Sequence, residues 1–216
     1  MRFRTLVSLP LVGLALVGPA SNGVAQTSYH PLEVGRKTDE TRKKPVKLSV
    51  WTAKPGAATQ LDPEKSLFGW SIRPPKGFVS TQRSENLNQV FIFQGDNRPD
   101  KTYPALWIIL GDVRQGDTKQ SRDEVVMDQY AIELHKNRDD WKATPTQFGS
   151  IQGRKFLRRR WSATQAIDGV SRRMHGTIYV TLFGTKFAAL TIQDADPGAA
   201  STIGLMETSA LTFRKR

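Results

Sequence analysis

The chain has 216 residues, no cysteine and a formal net charge of +12 at pH 7. The lack of cysteine excludes disulfide bonds, thiolate metal sites and lipid attachment through a cysteine. The excess of lysine and arginine predicts anionic partners, unless the charge serves solubility alone.

The N-terminus has the pattern of a secretory signal peptide. Two arginines within the first four residues precede an apolar run over residues 6–17, and small residues end the segment at Ala25. The run is shorter than the ~20 residues that a membrane-spanning helix needs. We predict a signal peptide over residues 1–25 with cleavage after Ala25, cleavage after Ala20 being the weaker option. The exported chain then carries +10, because the signal peptide holds both arginines and no acid.

Export changes the class of partner that the positive charge predicts. A basic protein is usually interpreted first as a nucleic-acid binder, but an exported protein meets the components of the cell envelope instead. We therefore predict a periplasmic or secreted protein with no transmembrane segment in the mature chain and no nucleic-acid partner. The expected partners are an acidic envelope protein, an anionic lipid surface or a wall polymer. The sequence does not indicate the oligomeric state.

Residues 26–66 have the composition of a basic, proline-containing tail. The segment holds four prolines and, between positions 36 and 47, six lysines and arginines, with few large apolar side chains. Such a composition buries too little apolar surface to offset the entropy of ordering, so we predict a largely disordered tail. Within it, the alternation of Val46, Leu48 and Val50 predicts a short edge strand. Residues 67–216 are predicted to form a single domain.

The first half of this domain has the patterns of strands. Alternation over Phe68–Arg73 predicts a strand that residues 74–77 end with two prolines and a glycine. Asn88–Gln94 is a second predicted strand, and a polar loop follows it. Tyr103–Leu110 is almost wholly apolar, which predicts a central strand that is covered on both faces.

One helix follows these strands. Ser121 and Glu124 have the spacing of a capping box, with acids near the start and basic residues near the end. A period of 3.6 residues places Val126, Met127, Tyr130 and Leu134 on one face. Val125 and Ile132 fall on the opposite side.

The second half returns to strands and ends on a helix. Trp141–Phe148 predicts a weak strand, and Arg154–Ala163 predicts a stronger one. Met174–Leu182 and Lys186–Gln193 are close enough to form an antiparallel hairpin. Asp196 and Pro197 are then predicted as the N-cap and first turn of a helix that runs to about Ala210. Hairpins without βαβ alternation predict an α+β fold, in which helices pack on an antiparallel sheet.

Two stretches carry a resemblance to a known superfamily. Residues 68–78, FGWSIRPPKGF, resemble the opening strand and turn of the PsbP/DcrB-like superfamily. The terminal helix, which closes on SALTF at residues 209–213, fits the same layout. The resemblance covers about residues 67–216 and implies an αβα sandwich whose members mostly bind or assist other proteins. No functional residue of the superfamily matches here, and the chain lacks the cysteine of its bacterial lipoprotein members.

No motif for catalysis, a metal or a cofactor is present. His30, His135 and His175 have no ligand spacing, and neither a G-x-S-x-G elbow nor a phosphate-binding glycine loop occurs. The acid pairs Asp139/Asp140 and Asp194/Asp196 stand at element ends, where acids commonly cap or turn the chain. We therefore expect neither enzymatic activity nor a cofactor.

A basic strand is the candidate binding site. Strand alternation directs Arg158 and Arg160 to one face and Arg159 to the other. The connection over residues 163–171 is short enough to bring two further arginines near them. Arginine suits carboxylates and phosphates, although a charged strand also prevents edge-to-edge association. The predicted partner-binding residues are Arg158, Arg160, Trp161, Arg172 and Arg173.

Three functions fit these patterns. The first is an exported, non-enzymatic binding or accessory module that uses the basic patch. The second is a small-ligand carrier, or an enzyme without a recognisable motif, with a pocket between sheet and helix near Trp161, Tyr179 or Tyr130. The third is a structural envelope protein that is tethered through its tail.

Overall fold

A computed structural model describes residues 48–53, 56–85, 88–113 and 121–216. The predicted signal peptide and the basic cluster of the tail lie outside these residues. The strands are β1 Ser49–Val50, β2 Lys65–Leu67, β3 Trp70–Ile72, β4 Val79–Glu85, β5 Asn88–Gln94, β6 Ala105–Asp112, β7 Asp139–Ala143, β8 Gln147–Ile151, β9 Arg154–Ile167, β10 Val170–Phe183, β11 Lys186–Ala195 and β12 Arg214–Lys215. The helices are α1 Arg122–His135 and α2 Ala199–Ala210, and a 3-10 helix spans Ala57–Gln60.

One large sheet organises the molecule. Its strand order is β1-β8-β9-β10-β11-β6-β5-β4, and β7 also pairs with β9. The described pairs of this sheet are antiparallel except for β1 with β8. A second sheet has the order β12-β3-β2. The predicted α+β class, an antiparallel sheet packed by helices, is confirmed.

Each face of the large sheet carries its own hydrophobic core. On one face, α1 contributes Met127 and Leu134, which pack with side chains such as Ile178 of β10. On the other face, α2 and the small sheet together cover a core that includes Met206 and Trp70. The sheet therefore lies between two layers, as in the predicted αβα sandwich, and successive residues of a central strand enter different cores.

The strongest sequence patterns match the structure. The predicted strand Asn88–Gln94 is β5. The apolar run from Tyr103 forms β6, which lies between β5 and β11 and is buried on both faces. The predicted late hairpin is β10 with β11.

Helix α1 begins where the capping pattern predicts. The Glu124 N–H donates to the Ser121 carbonyl at 2.9 Å, and the Ser121 hydroxyl donates to the Glu124 carboxylate. The predicted inner face is buried, whereas Ile132 on the opposite side is 50% exposed.

The strand predicted over Phe68–Arg73 is wrong at its start. Phe68 and Gly69 form a turn with φ values of 47° and 79°, and β3 begins only at Trp70. Phe68 is 64% exposed, so it does not share a buried face with Trp70 and Ile72. All three residues of β3 are buried because the strand lies between β2 and β12 and packs on the large sheet.

Three other local predictions need correction. Strand β4 was not predicted, because its mostly exposed sequence VSTQRSE lacks apolar alternation. The single weak strand over Trp141–Phe148 is two strands, β7 and β8, which both pair with β9. Helix α2 begins after Gly198 rather than at Asp196. The Asp196 N–H instead donates to the Arg173 carbonyl, and its carboxylate contacts His175.

Part of the segment predicted as a tail packs on the domain. Leu61 is 6% exposed, and the Arg73 side chain donates hydrogen bonds to the carbonyls of Ala58, Leu61 and Asp62. Strand β1 lies at the edge of the large sheet, where the alternation around Leu48 predicts an edge strand. Within the described part of the chain, neither helix has the length and hydrophobicity needed to cross a bilayer.

Candidate functional site

The arginines of β9 separate between the two faces of the large sheet. Arg158 lies opposite Tyr179 of β10, and Arg160 lies opposite Thr177. Both arginines project towards the α2 side. Arg159 projects to the α1 side, where its Nη2 donates to the Asp128 carboxylate at 2.8 Å. The predicted alternation along this strand is therefore present.

Arg158 is held in place without a carboxylate. Its Nε and Nη2 donate to the side-chain oxygen of Gln147 at 3.0 and 2.7 Å. Its guanidinium lies 4.3 Å from the centroid of the Trp51 ring, within the range of a cation–π contact. Because no acidic residue of the described ranges pairs with it, this charge stays uncompensated.

Arg160 has a partial counter-charge. Its Nη2 lies 3.2 Å from the Glu207 carboxylate of α2, which also accepts a hydrogen bond from Thr177 at 3.0 Å. The Arg160 side chain is 54% exposed. Ion pairs this exposed are weak, on the order of 0–1 kcal/mol, so a partner carboxylate can compete for the guanidinium.

Arg173 joins these two arginines on the α2 side. Its Nη2 donates to the Ser162 hydroxyl at 2.7 Å, two positions along β9 from Arg160. No described carboxylate forms an ion pair with it either. Arg158, Arg160 and Arg173 are called the arginine face below.

The other two predicted site residues lie on the opposite side of the sheet. The register of β10 places Arg172 on the α1 face, and its Nη1 is 3.8 Å from the Asp100 carboxylate in the loop after β5. Trp161 is 4% exposed, and it lies 5.0 Å from the Arg138 guanidinium and 5.0 Å, ring to ring, from Trp141. The predicted five-residue cluster is therefore divided by the sheet. Trp161 is mainly a core residue rather than part of the arginine face.

Tyr179 lies beneath the arginine face and is fully buried. Burial raises the pKa of its phenol to about 12, and the nearby Glu207 carboxylate acts in the same direction. Arg158 and Arg160 act in the opposite direction. The phenol therefore stays protonated near neutral pH and does not serve as a general base.

The structure gives little support to a pocket between sheet and helix. Tyr130 is 9% exposed and packs against Phe187, with ring centroids 5.9 Å apart. Tyr179 packs against Trp51 at 6.0 Å. In the described ranges, one cleft of about 310 Å³ opens beside Arg160 and Lys142, and another of about 440 Å³ lies at the β8–β9 turn. Among the same residues, no three histidine or acidic side chains converge on a point.

Sequence reasoning missed the residues that surround the arginine face. Trp51 and Gln147 support Arg158, and Glu207 faces Arg160. Trp51 follows β1, Gln147 belongs to β8 and Glu207 belongs to α2. Only the folded sheet brings these three residues to β9. The composition of the segment around Trp51 predicted a tail and gave no signal of this contact.

The fold and the arginine face define an α+β sandwich with a cationic surface, and comparison with solved structures identifies the fold. The chain is similar to CyanoP, the cyanobacterial PsbP of Synechocystis sp. PCC 6803, with a TM-score of 0.53 and 14% identity over 76% of this chain and 98% of CyanoP. The Ran-binding protein Mog1p of Saccharomyces cerevisiae has a TM-score of 0.46 and 10% identity over 71% of this chain and 95% of its own. No family model and no curated protein matches the sequence. The chain has a PsbP-like fold.

Proposed function

We propose that this protein is an exported, non-enzymatic binding or accessory module whose arginine face binds an acidic envelope protein. The observation that supports the proposal is that Arg158 and Arg173, which no carboxylate of the described residues pairs with, lie on the same face of the sheet as the half-exposed Arg160. Arginine forks match carboxylates in geometry and charge. An anionic lipid surface and a wall polymer are the alternative partners.

The supporting contacts favour a binding role over a purely structural one. Gln147 and Ser162 fix the orientation of Arg158 and Arg173 without neutralising their charge. A guanidinium that is already oriented loses less rotamer entropy when a partner binds. A charge that serves only solubility would not need this support.

Export is part of the proposal and has its own test. The N-terminal pattern predicts cleavage after Ala25, so the mature protein begins at Gln26. The mass of the intact protein recovered from an envelope or culture fraction measures this directly. A mass that still includes residues 1–25 would contradict export by a cleaved signal peptide. We also propose that the chain resembles the DcrB-type envelope proteins, as its sequence indicates.

Affinity capture from envelope extracts tests the binding role. The bait proteins are the wild type, the pair Arg158→Glu and Arg160→Glu, and a control pair with the same change in net charge. Arg122→Glu and Lys76→Glu make a suitable control, because both positions are exposed and neither contacts the arginine face. Thermal unfolding of each bait verifies that the variants are folded.

We expect an acidic protein that the wild type and the control pair capture at low salt and lose at high salt. The arginine-face pair should fail to capture it at either salt concentration. Equal capture by all three baits, or capture that high salt leaves undiminished, would contradict the proposal. Retention of lipid or wall polymer alone would replace the protein partner by that alternative.

A further inference from the structure

A second basic cleft lies at the other end of β9, away from the arginine face. The turn Gln152–Gly153 between β8 and β9 forms one wall, and β12 forms the other. The Gln152 side chain donates to the Leu211 carbonyl at 3.3 Å, which ties this turn to the end of α2. The cleft has a volume of about 440 Å³. Its basic side chains are Arg154, Lys155, Arg214 and Lys215.

The Arg154 side chain forms no hydrogen bond with another described residue. Its guanidinium lies 5.4 Å from the centroid of Trp70 and 5.9 Å from that of Phe183. Contact with an aromatic ring uses the face of the guanidinium and leaves the N–H groups on its edge for acceptors. In the ranges that the structure describes, no carboxylate forms an ion pair with Arg154.

Lys215 contacts the same aromatic cluster. Its Nζ lies 5.6 Å from the centroid of Phe183, the ring that Arg154 also approaches. Lys215 likewise has no ion pair with a described carboxylate. Phe183 therefore has two uncompensated cations near it.

The other two basic residues of the cleft have carboxylate partners. Lys155 forms an ion pair with Asp123 at 2.7 Å, and Arg214 shares Glu64 with Arg216, at 2.6 and 2.9 Å. Arg154 and Lys215 are therefore the two cations of the cleft that no carboxylate of the described residues pairs with. A ligand with two negative charges at one group would balance these two cations.

The floor of the cleft consists of closely packed aromatic rings. Trp70 and Phe213 are 2% and 0% exposed, and their rings stack with centroids 4.7 Å apart. Phe183 meets Trp70 edge to face, also at 4.7 Å. Cations that lie over such a packed floor bind an anion with little reorganisation.

We propose that this cleft binds a phosphomonoester group through Arg154 and Lys215. A phosphomonoester carries about −1.5 to −2 charges near neutral pH and offers three acceptor oxygens, which suit an arginine fork and an ammonium together. A single carboxylate or a phosphodiester would leave one cation unbalanced. The group comes from a small soluble phosphoester or from a phosphomonoester lipid headgroup.

Titration with glycerol 3-phosphate tests the site, with the indole N–H signal of Trp70 as the readout. The proteins are the wild type, Arg154→Gln, Lys215→Gln, and the controls Arg122→Gln and Arg158→Gln. We expect a saturable shift in the wild type and in both controls. In the two cleft variants the dissociation constant should be at least about tenfold higher. Dimethyl phosphate, which carries one charge, should bind more weakly than glycerol 3-phosphate.

The protonation of the ligand provides a second readout. The second pKa of a phosphomonoester is about 6, so the affinity of the wild type should fall as the pH decreases through that value. A shift that does not saturate, equal affinities in the cleft variants and the wild type, or no preference for the dianion would overturn the proposal.

Vesicles distinguish the two sources of the phosphate. Phosphatidylcholine vesicles that contain phosphatidic acid carry a phosphomonoester, and those that contain phosphatidylglycerol carry a phosphodiester. Binding to the former that Arg154→Gln abolishes supports a lipid ligand, whereas binding of glycerol 3-phosphate alone supports a soluble one. Arg158→Gln should leave the binding of glycerol 3-phosphate unchanged even where it weakens protein capture. This variant therefore distinguishes a failure of the cleft proposal from a failure of the arginine-face proposal.

Discussion

At the scale of single residues, burial separates charges that stabilise the fold from charges that are free to bind. Arg98 donates to both oxygens of Asp194 at 2.7 Å, and the Asp194 side chain is fully buried. Lys186 and Asp112 also form an ion pair, at 3.1 Å, but both side chains are about 60% exposed. Only the first pair contains a fully buried carboxylate.

We therefore predict that Asp194→Asn destabilises the protein by about 3 kcal/mol, because it breaks a buried pair. Asp112→Asn, which breaks the exposed pair, should cost less than about 0.5 kcal/mol. Urea unfolding measures both free energies. Similar costs for the two substitutions would show that burial does not set the strength of these pairs.

Because of Tyr179, we expect the stability of the protein to decrease at alkaline pH. The pKa of its phenol rises from about 10 to about 12 on folding, so the folded state retains the proton longer than the unfolded state. This contribution is complete below about pH 10, and it is lost as the pH rises through about 12.

In a comparison of the wild type with Tyr179→Phe, the free energy of unfolding of the wild type should fall more steeply between pH 10 and 12. The extra loss should be about 2–3 kcal/mol. Urea unfolding at a series of pH values measures it, and parallel curves for the two proteins would contradict the raised pKa.

The sequence predicts which arginines of β9 share a face, but it misplaces Arg172. The alternation of a strand has a period of two, so Arg158 and Arg160 could be assigned to one side without a structure. The side of Arg172 depends on where β10 begins. Asp168 and Gly169 form a two-residue turn with φ values of 50° and 76°, and this register places Arg173 rather than Arg172 on the same face of the sheet as Arg160.

At the scale of elements, the surroundings of a glycine decide whether an added methyl group helps or harms. A Cβ atom on Gly176 of β10 would overlap the Ile192 carbonyl oxygen and the Trp161 ring. A Cβ atom on Gly204 of α2 would meet no heavy atom within 4 Å.

Gly204→Ala should stabilise the protein by about 0.5–1 kcal/mol, because alanine is the better helix former. Gly176→Ala should destabilise it by about 1–3 kcal/mol through overpacking. Thermal unfolding of the two variants beside the wild type gives both signs, and a gain in stability for Gly176→Ala would contradict the described packing of β10 against Trp161.

Elements with a strong apolar period could be predicted, and elements defined by their partners could not. Strands β5 and β6 carry enough apolar residues to be assigned from the sequence. Strand β4 is exposed along most of its length, and β12 is two basic residues that pair with β3. Strand β4 has no apolar alternation to signal its pairing with β5, and β12 pairs with a segment that is distant in the chain.

At the scale of the whole molecule, the class of fold follows from the order of elements, whereas the binding sites depend on long-range contacts. The α+β class could be predicted from hairpins that flank a helix. The second cleft could not, since it joins Arg154 to Lys215 only through the pairing of β12 with β3.

In the proposed function, the α2 side of the sheet is the binding surface and the α1 side stays free. One exposed residue on each side can report contact with a partner. Thr144 is exposed and lines the cleft beside Arg160, whereas Gln129 is exposed on α1 across the sheet. A partner that binds the arginine face lies within reach of the first position and not of the second.

Site-specific photocrosslinking in living cells tests this claim most directly, with a photoreactive residue placed at Thr144 or at Gln129. The account predicts an adduct with an acidic protein from position 144 that disappears when Arg158→Glu and Arg160→Glu are added, and no such adduct from position 129. An adduct from position 129 alone, or one from position 144 that persists after both charge reversals, would contradict it.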